Sequence, residues 1–311
     1  MRDTLRVTAE PLSDDRAFRC SVGALDEPMA GSAAVAAAYL LVEHPGPWGR
    51  KALAESRFAE HVRRGLGEAS DAAGVRVQLI RRPGRTDPSE SFRVFASYAD
   101  PAGPWTATAL LHDPERLLDL DLAALALGQV PTGFTPYDGP LHLVCTNGRR
   151  DLCCAEQGRP IVTALAEAYA HATWETTHVG GHRFAGAMVL LPHGLSYGRL
   201  EPGSALDVVA RSNDGDLVPS LLRGRSAYPG AVQAAELAAL DRLGTTRIDA
   251  LTLVSAIDQP VPDADARRVV DVTFAHAAGE TTVRVAEVPT PAARQSCADL
   301  TTKPGIRYQV L

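Results

Sequence analysis

The chain has 311 residues, of which 45% are hydrophobic and 22% charged, and its formal net charge is -6. This composition is typical of folded domains with a sizeable core. No segment reaches the roughly 20 apolar residues that span a bilayer, and no basic stripe indicates nucleic acid, so we expect neither a membrane nor a nucleic acid as a partner.

Five cysteines are present, and three of them lie within CTNGRRDLCC, at positions 145, 153 and 154. An odd count with local clustering fits a reducing compartment better than a disulfide framework. The charged amino-terminal segment lacks the apolar core of a secretory signal, so we expect a cytoplasmic protein. Cys20 and Cys297 stand alone in the sequence, and each is expected to be a small buried thiol and not a ligand.

After a first short helix, the amino-terminal part of the chain predicts a β-α-β-β-β-α order. Pro28 and Gly31 mark a turn before an Ala-rich run, in which Ser32 is placed to cap a helix. The predicted elements are that helix at 33–38, a strand at 38–43, a helix at 51–69, strands at 75–80, 92–98 and 105–111, and a Leu/Ala-rich segment at 114–127.

The same order then recurs. It predicts a strand at 141–144, a cysteine loop, a helix from Pro160 to about 171, a strand at 174–177, a histidine loop and a hairpin of 187–191 with 195–199.

A local match supports this recurrence, because Leu41 and Gly46 lie 102 positions before Leu143 and Gly148. We therefore expect an α/β fold with two thioredoxin-like units, although any two α/β segments can share such a pattern. The cysteines occupy the loop that 44–49 fills in the first unit, so only the second unit is expected to carry a metal.

Helical patterns dominate beyond position 201, at 204–211, 217–222 and 229–243, where Pro229 suits a first turn and Gly244 a stop. The segment 252–257 is a strand or a helix end, and 268–276 with 281–288 form a predicted β-hairpin. The expected domains are a first α/β unit at 20–135, a second unit at 136–203 that contains the cysteine and histidine loops, and a small α+β module at 204–311.

Cys145 and Cys154 are nine positions apart, and His178 and His182 follow four positions apart in THVGGHRFAG. Thiolates and imidazoles are the ligands that soft transition metals and iron–sulfur clusters select. These four residues, which the patterns place on loops, are therefore a candidate metal set.

Four chemistries compete for this set. Structural zinc usually has cysteines two to four residues apart, a spacing that is absent, although the H-x3-H pair does fit zinc. Thioredoxin-type exchange needs C-x-x-C, whereas Cys153 and Cys154 are vicinal. A hydrolytic centre would need a carboxylate motif such as HExxH, which is missing.

A 2Fe-2S cluster accommodates the spacing, because two loops can each offer a pair of ligands. Gly180 and Gly181 between the histidines allow close backbone approach. Two neutral imidazoles in place of thiolates would raise the reduction potential and couple it to pH. Arg149, Arg150 and Arg183 would raise it further or dock an acidic partner, unless they are simply solvated.

The motifs CTNGRRDLCC, WETTHVGGHRFAG and LPHGLSYGRL resemble the sucrase/ferredoxin-like family, as do DEPMAGSAA and LLVEHPGPWG nearer the amino terminus. The resemblance covers about 20–200 and implies a thioredoxin-like ferredoxin domain. By motif position it implies a 2Fe-2S cluster on Cys145, Cys154, His178 and His182, with the thiolates on one iron and the imidazoles on the other. Cys154, and not the neighbouring Cys153, is the favoured ligand.

The resulting expectation is an electron carrier with an unidentified redox partner protein, and not a stand-alone enzyme. The runner-up is a binding module with a structural zinc or a redox-sensing metal site. The family's name also suggests sugar cleavage, which ordinarily needs two flanking carboxylates, and no such pair is recognisable. His44 and His193 are expected in turns, and His142 is a candidate for contact with the ligands.

Overall fold

The computed structural model describes residues 17–84, 90–261 and 265–311. Within these residues the strands form a ten-stranded and a four-stranded sheet. The large sheet contains β1 (Ala38–Glu43), β2 (Arg76–Arg81), β3 (Phe92–Tyr98), β4 (Trp105–Leu111), β5 (Thr135–Pro136), β6 (Leu141–Cys145), β7 (Thr173–Thr176), β8 (Met188–Leu191), β9 (Leu195–Tyr197) and β10 (Leu222–Arg225). The small sheet contains β11 (Thr252–Gln259), β12 (Arg268–His276), β13 (Gly279–Pro289) and β14 (Ile306–Val310).

The described α-helices are α1 (Cys20–Gly23), α2 (Glu60–Ala73), α3 (Leu122–Ala126), α4 (Leu152–Ala168), α5 (Pro202–Asn213) and α6 (Gly230–Leu243). Short 3-10 turns lie at Leu53–Glu55, Pro114–Asp119, His182–Phe184 and Pro219–Leu221. Among residues 17–84, 90–261 and 265–311, none of the helices combines the length and the apolarity needed to cross a membrane. The mixed content of helices and sheets confirms the predicted α/β class.

Connectivity repeats within the large sheet, whose strand order is β10-β9-β8-β6-β7-β2-β1-β3-β4-β5. In each half a strand is followed by a helix and a parallel strand, as in β1-α2-β2 and β6-α4-β7. Two antiparallel strands then extend each half, β3 and β4 in one and β8 and β9 in the other. The halves meet where β2 and β7 pair antiparallel, with Ile80 opposite Thr176.

The central strands of both halves are buried along their whole length. Such continuous apolar strands are typical of a sheet that is covered on both faces. In the first half the cover comes from α2 and α3, through residues such as Leu66 and Leu125. In the second half α4, α5 and α6 share a core with the small sheet, which includes Leu165, Val208 and Phe274. β10, which lies in the range predicted for the third module, pairs with β9.

Two helix predictions were wrong, one for the run 33–38 and one for the start of α4. The run 33–38 is not a helix, because its backbone N–H groups form hydrogen bonds to distant segments. The N–H of Ala33 donates to Gln233 Oε1, and the N–H of Ala36 donates to the carbonyl of Ser226. Helix propensity is a weak preference that such tertiary bonds override.

The second error concerns α4, which begins at Leu152 and not at Pro160. Asp151 caps it by accepting from the backbone N–H of Cys153. Pro160 is tolerated inside the helix on its exposed side, where water can bond the carbonyl that loses its donor. Cys153 and Cys154 therefore lie in a first helical turn and not on a loop.

Smaller differences concern element lengths. The helix predicted at 51–69 begins only at Glu60, after a 3-10 turn at Leu53–Glu55. The segment 114–127 is split into a 3-10 turn and α3, and the segment 217–222 holds a 3-10 turn that leads into β10. The predicted hairpins at 187–199 and 268–288 are confirmed.

Candidate metal centre

The carboxyl ends of β6 and β7 bring the predicted ligands to one edge of the sheet. Cys145 is the last residue of β6, and Cys154 lies in the first turn of α4, which follows it. His178 comes two residues after β7, and His182 opens the 3-10 turn His182–Phe184. Because β6 and β7 are parallel, their carboxyl ends share this edge, as in many α/β binding sites.

All four candidate residues come together there. The Nδ1 atom of His178 lies 3.9 Å from Cys145 Sγ and 3.7 Å from Cys154 Sγ. On its other side, His178 Nε2 lies 3.3 Å from His182 Nδ1. Cys145, Cys154 and His178 have ligand atoms close enough to share one metal ion, and His182 adjoins this group through His178.

The vicinal cysteines face different neighbours. Successive helical residues point about 100° apart, so only one of the pair can face His178. Cys154 does so, whereas Cys153 Sγ lies 3.3 Å from Cys297 Sγ and 3.7 Å from Cys20 Sγ. Cys20 is buried as expected and Cys297 is only partly buried, but neither thiol is isolated in space, because the fold brings both to Cys153.

The protonation states favour metal binding. The hydrogen bond from Cys154 holds the pKa of the Cys145 thiol well below its ordinary value, with a further contribution from His178. The same hydrogen bond raises the pKa of Cys154, so Cys145 ionises first. Burial, and then the neighbouring His178, lower the pKa of His182. A thiolate and a neutral imidazole are the forms that ligate metals.

Residues outside the sequence motifs hold the histidine loop. Arg76 Nη2 and Gln78 Nε2 from β2 donate to the carbonyl of His178, at 3.1 and 3.3 Å. Fully buried Arg223 from β10 donates to the carbonyl of Gly180 at 2.9 Å. Sequence reasoning missed these three residues, because they lie on strands remote from the motif and carry no local signal.

Two glycines allow this close packing. Gly181 has a φ of 66°, and a Cβ atom there would lie 2.3 Å from Arg223 Nη2. A Cβ atom at Gly158 would lie 2.1 Å from the carbonyl oxygen of Cys145. Only glycine lets α4 and the histidine loop approach this edge so closely.

Asp151 is a further residue that the sequence reasoning missed. Its Oδ2 atom lies 4.0 Å from His182 Nε2 and accepts from Ser296 Oγ and the backbone N–H of Cys297. Burial acts to raise its pKa, but hydrogen bonds from Cys297 and Ser296 outweigh burial and lower the pKa to about 2. Its position just before a helix was the available signal, because Asp is a preferred N-cap.

Other histidines singled out from the sequence lie apart from this group. His142 is buried on β6, where its ring meets Tyr169 edge-on at 5.6 Å, and its Nδ1 has no hydrogen-bond partner among the described residues. His44 accepts from the backbone N–H of Arg57, and His193 lies in the turn between β8 and β9.

The donor set fits a thiophilic metal, because two buried thiols and two partly buried imidazoles converge at one place. No curated protein and no solved structure matches the chain. The family model described as sucrase/ferredoxin-like, however, matches residues 29–224, which is more than half of the chain and includes all four candidate residues. The chain therefore belongs to the sucrase/ferredoxin-like family.

Proposed function

We propose that this chain is an electron-transfer protein that binds a 2Fe-2S cluster through Cys145, Cys154, His178 and His182. The observation that carries the proposal is the convergence of two thiols and two imidazoles from two segments, 145–154 and 178–182, at one sheet edge. When bound, such a cluster supplies one-electron redox chemistry.

The ligand set makes the redox step depend on pH. Neutral imidazoles carry less negative charge than thiolates, so the reduced state is less disfavoured than with four cysteines. His178 and His182 are half-buried, so water can exchange protons with them. The pKa of His182 is already lowered by burial and by His178, which keeps its ring neutral and ready to ligate.

A cleft beside the cysteine loop supports an acidic redox partner. Its volume is about 760 Å³, and its lining includes Arg149, Arg159 and Glu156. Arg81 also lines the cleft but pairs with Glu175 at 2.6 Å, and Arg183 is engaged with Glu27 at 2.7 Å. The partner would be a protein with acidic residues around its own redox group, which would approach through this basic rim. The partner is proposed to be a protein, and neither a nucleic acid nor a membrane. The proposed location is the cytoplasm, because free thiols suit a reducing compartment.

The repeated connectivity supports the finer fold proposal. Two thioredoxin-like units at 20–135 and 136–203, followed by a module at 204–311, would explain why two β-α-β motifs with two antiparallel strands each share one sheet. The first unit would then have no cluster, because His44 and Trp48 stand in its loop.

A structural zinc is the second candidate, and one observation favours it. The separations of 3.7 and 3.9 Å between His178 Nδ1 and the two sulfurs resemble the edge of about 3.5 Å expected around one tetrahedral zinc ion. Sugar hydrolysis is not proposed, because it ordinarily needs two carboxylates about 5 to 10 Å apart at the bond to be cleaved, and this centre consists of thiols and imidazoles.

The test is metal and sulfide analysis with EPR spectroscopy on protein purified without air. We expect about two irons and two acid-labile sulfides per chain, with a red-brown colour. Cys145→Ser should lose them, whereas Cys297→Ser, which removes a thiol outside the set, should keep them. Colourless protein without sulfide, whose zinc is lost in Cys145→Ser but kept in Cys297→Ser, would establish the second candidate and overturn the first.

A further inference from the structure

The three cysteines that the proposed cluster does not use form a second group. Cys20 begins α1, Cys153 lies in the first turn of α4, and Cys297 precedes β14. Their sulfur atoms lie 3.7 Å (Cys20 to Cys153), 3.6 Å (Cys20 to Cys297) and 3.3 Å (Cys153 to Cys297) apart. Cys20 and Cys153 are fully buried, and Cys297 is half-buried.

These separations match one tetrahedral ion. With zinc–sulfur bonds of about 2.3 Å, two thiolates on the same zinc lie about 3.8 Å apart. A carboxylate oxygen on that zinc would lie about 3.6 Å from each sulfur. Asp151 Oδ1 is 3.5 Å from Cys20 Sγ, and the same aspartate belongs to the group of ligand atoms.

We propose that Cys20, Cys153, Cys297 and Asp151 bind a structural zinc ion. The site is separate from the Cys145 group, although Asp151 also lies near His182. It would tie the amino-terminal helix α1 and the segment before β14 to the helix that carries Cys154.

The surroundings of the sulfurs are those of a thiolate site. Cys297 Sγ accepts from the backbone N–H of Cys20 at 3.4 Å, and Cys153 Sγ accepts from Ser21 Oγ at 3.2 Å. Asp151 is fixed by the N–H groups of Cys153 and Cys297 and by Ser296 Oγ, which leaves Oδ1 a lone pair for the ion. Such outer contacts orient ligands and offset their charge.

The proposed ion would join three segments that are far apart in the sequence. Cys20 and Cys153 are 133 residues apart in sequence, and Cys153 and Cys297 are 144 apart. Arg19 pairs with Glu156 at this junction, and Arg294 stacks on Phe18 and donates to the carbonyl of Cys297. The pair of Arg19 with Glu156 is partly exposed and contributes little, so a bound ion would add substantially to the hydrogen bonds that Ser296 and Cys297 make to Asp151.

The test uses the full chain, purified under reducing conditions with added zinc, with X-ray absorption measured at the zinc edge. We expect one zinc per chain with three sulfur neighbours at about 2.3 Å and one oxygen neighbour. Cys297→Ser should weaken zinc binding by more than the 10–100-fold that loss of an outer contact costs. Cys145→Ser is the matched control and should keep this zinc.

Several results would overturn the proposal. These are a zinc edge fitted by two sulfurs and two nitrogens, absence of zinc from the reduced wild-type chain, or unchanged zinc affinity in Cys297→Ser. A Cys153 to Cys297 disulfide found by mass spectrometry in place of zinc would also overturn it. The wild-type spectrum decides the matter even if the serine variant does not fold, and the iron content reports separately on the Cys145 group.

Discussion

The two β-α-β units of the large sheet share their connectivity but end their first strands differently. Aligned at the offset of 102 positions, Leu40 corresponds to His142 and Glu43 to Cys145. In the first unit Glu43 accepts from the backbone N–H of Arg93 at 2.9 Å. In the second, the sulfur of Cys145 has the side chains of Cys154 and His178 as its neighbours.

The difference shows how one topology can serve both packing and ligation. In the first unit the buried side chain of Trp48 packs at the loop after the strand. Its Nε1–H donates to the carbonyl of His44, and the centre of its ring lies 4.3 Å from Cζ of Arg81. At the corresponding place the second unit has the thiols of Cys145 and Cys154 beside His178. A strand end that is closed by a tryptophan needs no ion, whereas one lined by thiols and imidazoles can bind one.

The largest expected effect tests whether the histidines of the second unit tune a cluster. Replacing both by cysteine, in His178→Cys with His182→Cys, should keep iron but lower the reduction potential by about 250 mV or more, because two negative charges are added. It should also flatten the pH dependence. His112→Cys, at an exposed site in the first unit, is the control. Protein-film voltammetry measures both, and an unchanged potential would remove the histidines from the site.

A second prediction concerns the tryptophan that closes the first unit. Trp48 is buried, and Trp48→Ala should reduce the free energy of unfolding by about 3–5 kcal/mol through the cavity it leaves. Iron content per folded chain should stay the same, because the loop does not ligate. Urea denaturation and iron analysis are the measurements. Loss of iron from the folded fraction would show that the two units are not separable in this way.

A third prediction concerns the aligned pair Leu40 and His142. Burial lowers the pKa of His142 to about 4, below its ordinary value of 6.5. The unfolded chain therefore binds this proton first, so stability is complete above pH 6.5 and falls as the pH drops from 6.5 to 4. The loss should be about 3 kcal/mol.

His142→Leu copies the first unit and should remove this loss. It also removes the buried Nδ1 that has no partner among the described residues. Unfolding measured at pH 7 and pH 4.5 tests the point, with the exposed variant His112→Leu as the control. Equal acid sensitivity of wild type and His142→Leu would contradict it.

The smallest expected effect concerns the seam between the units, which is the antiparallel pairing of β2 with β7 around Glu175. Glu175 on β7 bonds Arg81 on β2 and the hydroxyl of Thr146, each at 2.6 Å. Glu175→Ala leaves these partners unpaired and should cost about 1–3 kcal/mol of unfolding free energy. Glu175→Gln keeps an acceptor and should cost less.

Glu115 provides the control for this seam, because its pair with His61 is exposed. Glu115→Ala should change the free energy of unfolding by less than about 1 kcal/mol. Thermal or urea unfolding compares the variants. If Glu175→Ala were no worse than Glu115→Ala, the seam would be held by the strand pairing alone.

Local pattern was sufficient for most strands. Segments such as 92–98 and 105–111 have apolar and β-branched residues that favour a strand wherever the fold places it, and their bounds were correct. The run 33–38 shows the limit, because bonds to Gln233 and Ser226, about 190 or more residues away, decide its conformation. Helix α4 begins at Leu152 and not at the predicted Pro160, because Asp151 caps it and the exposed Pro160 is tolerated inside it.

Periodicity, spacing and ligand chemistry in the amino-acid sequence were enough to predict the α/β class, the repeated order of strands and helices, and one candidate set of ligands, Cys145, Cys154, His178 and His182. They could not predict that Cys153 points away from Cys154 and meets Cys20 and Cys297, which is visible only in the folded chain. Periodicity and capping act within a few residues, whereas the meeting of three sulfurs from distant segments depends on how the whole chain packs.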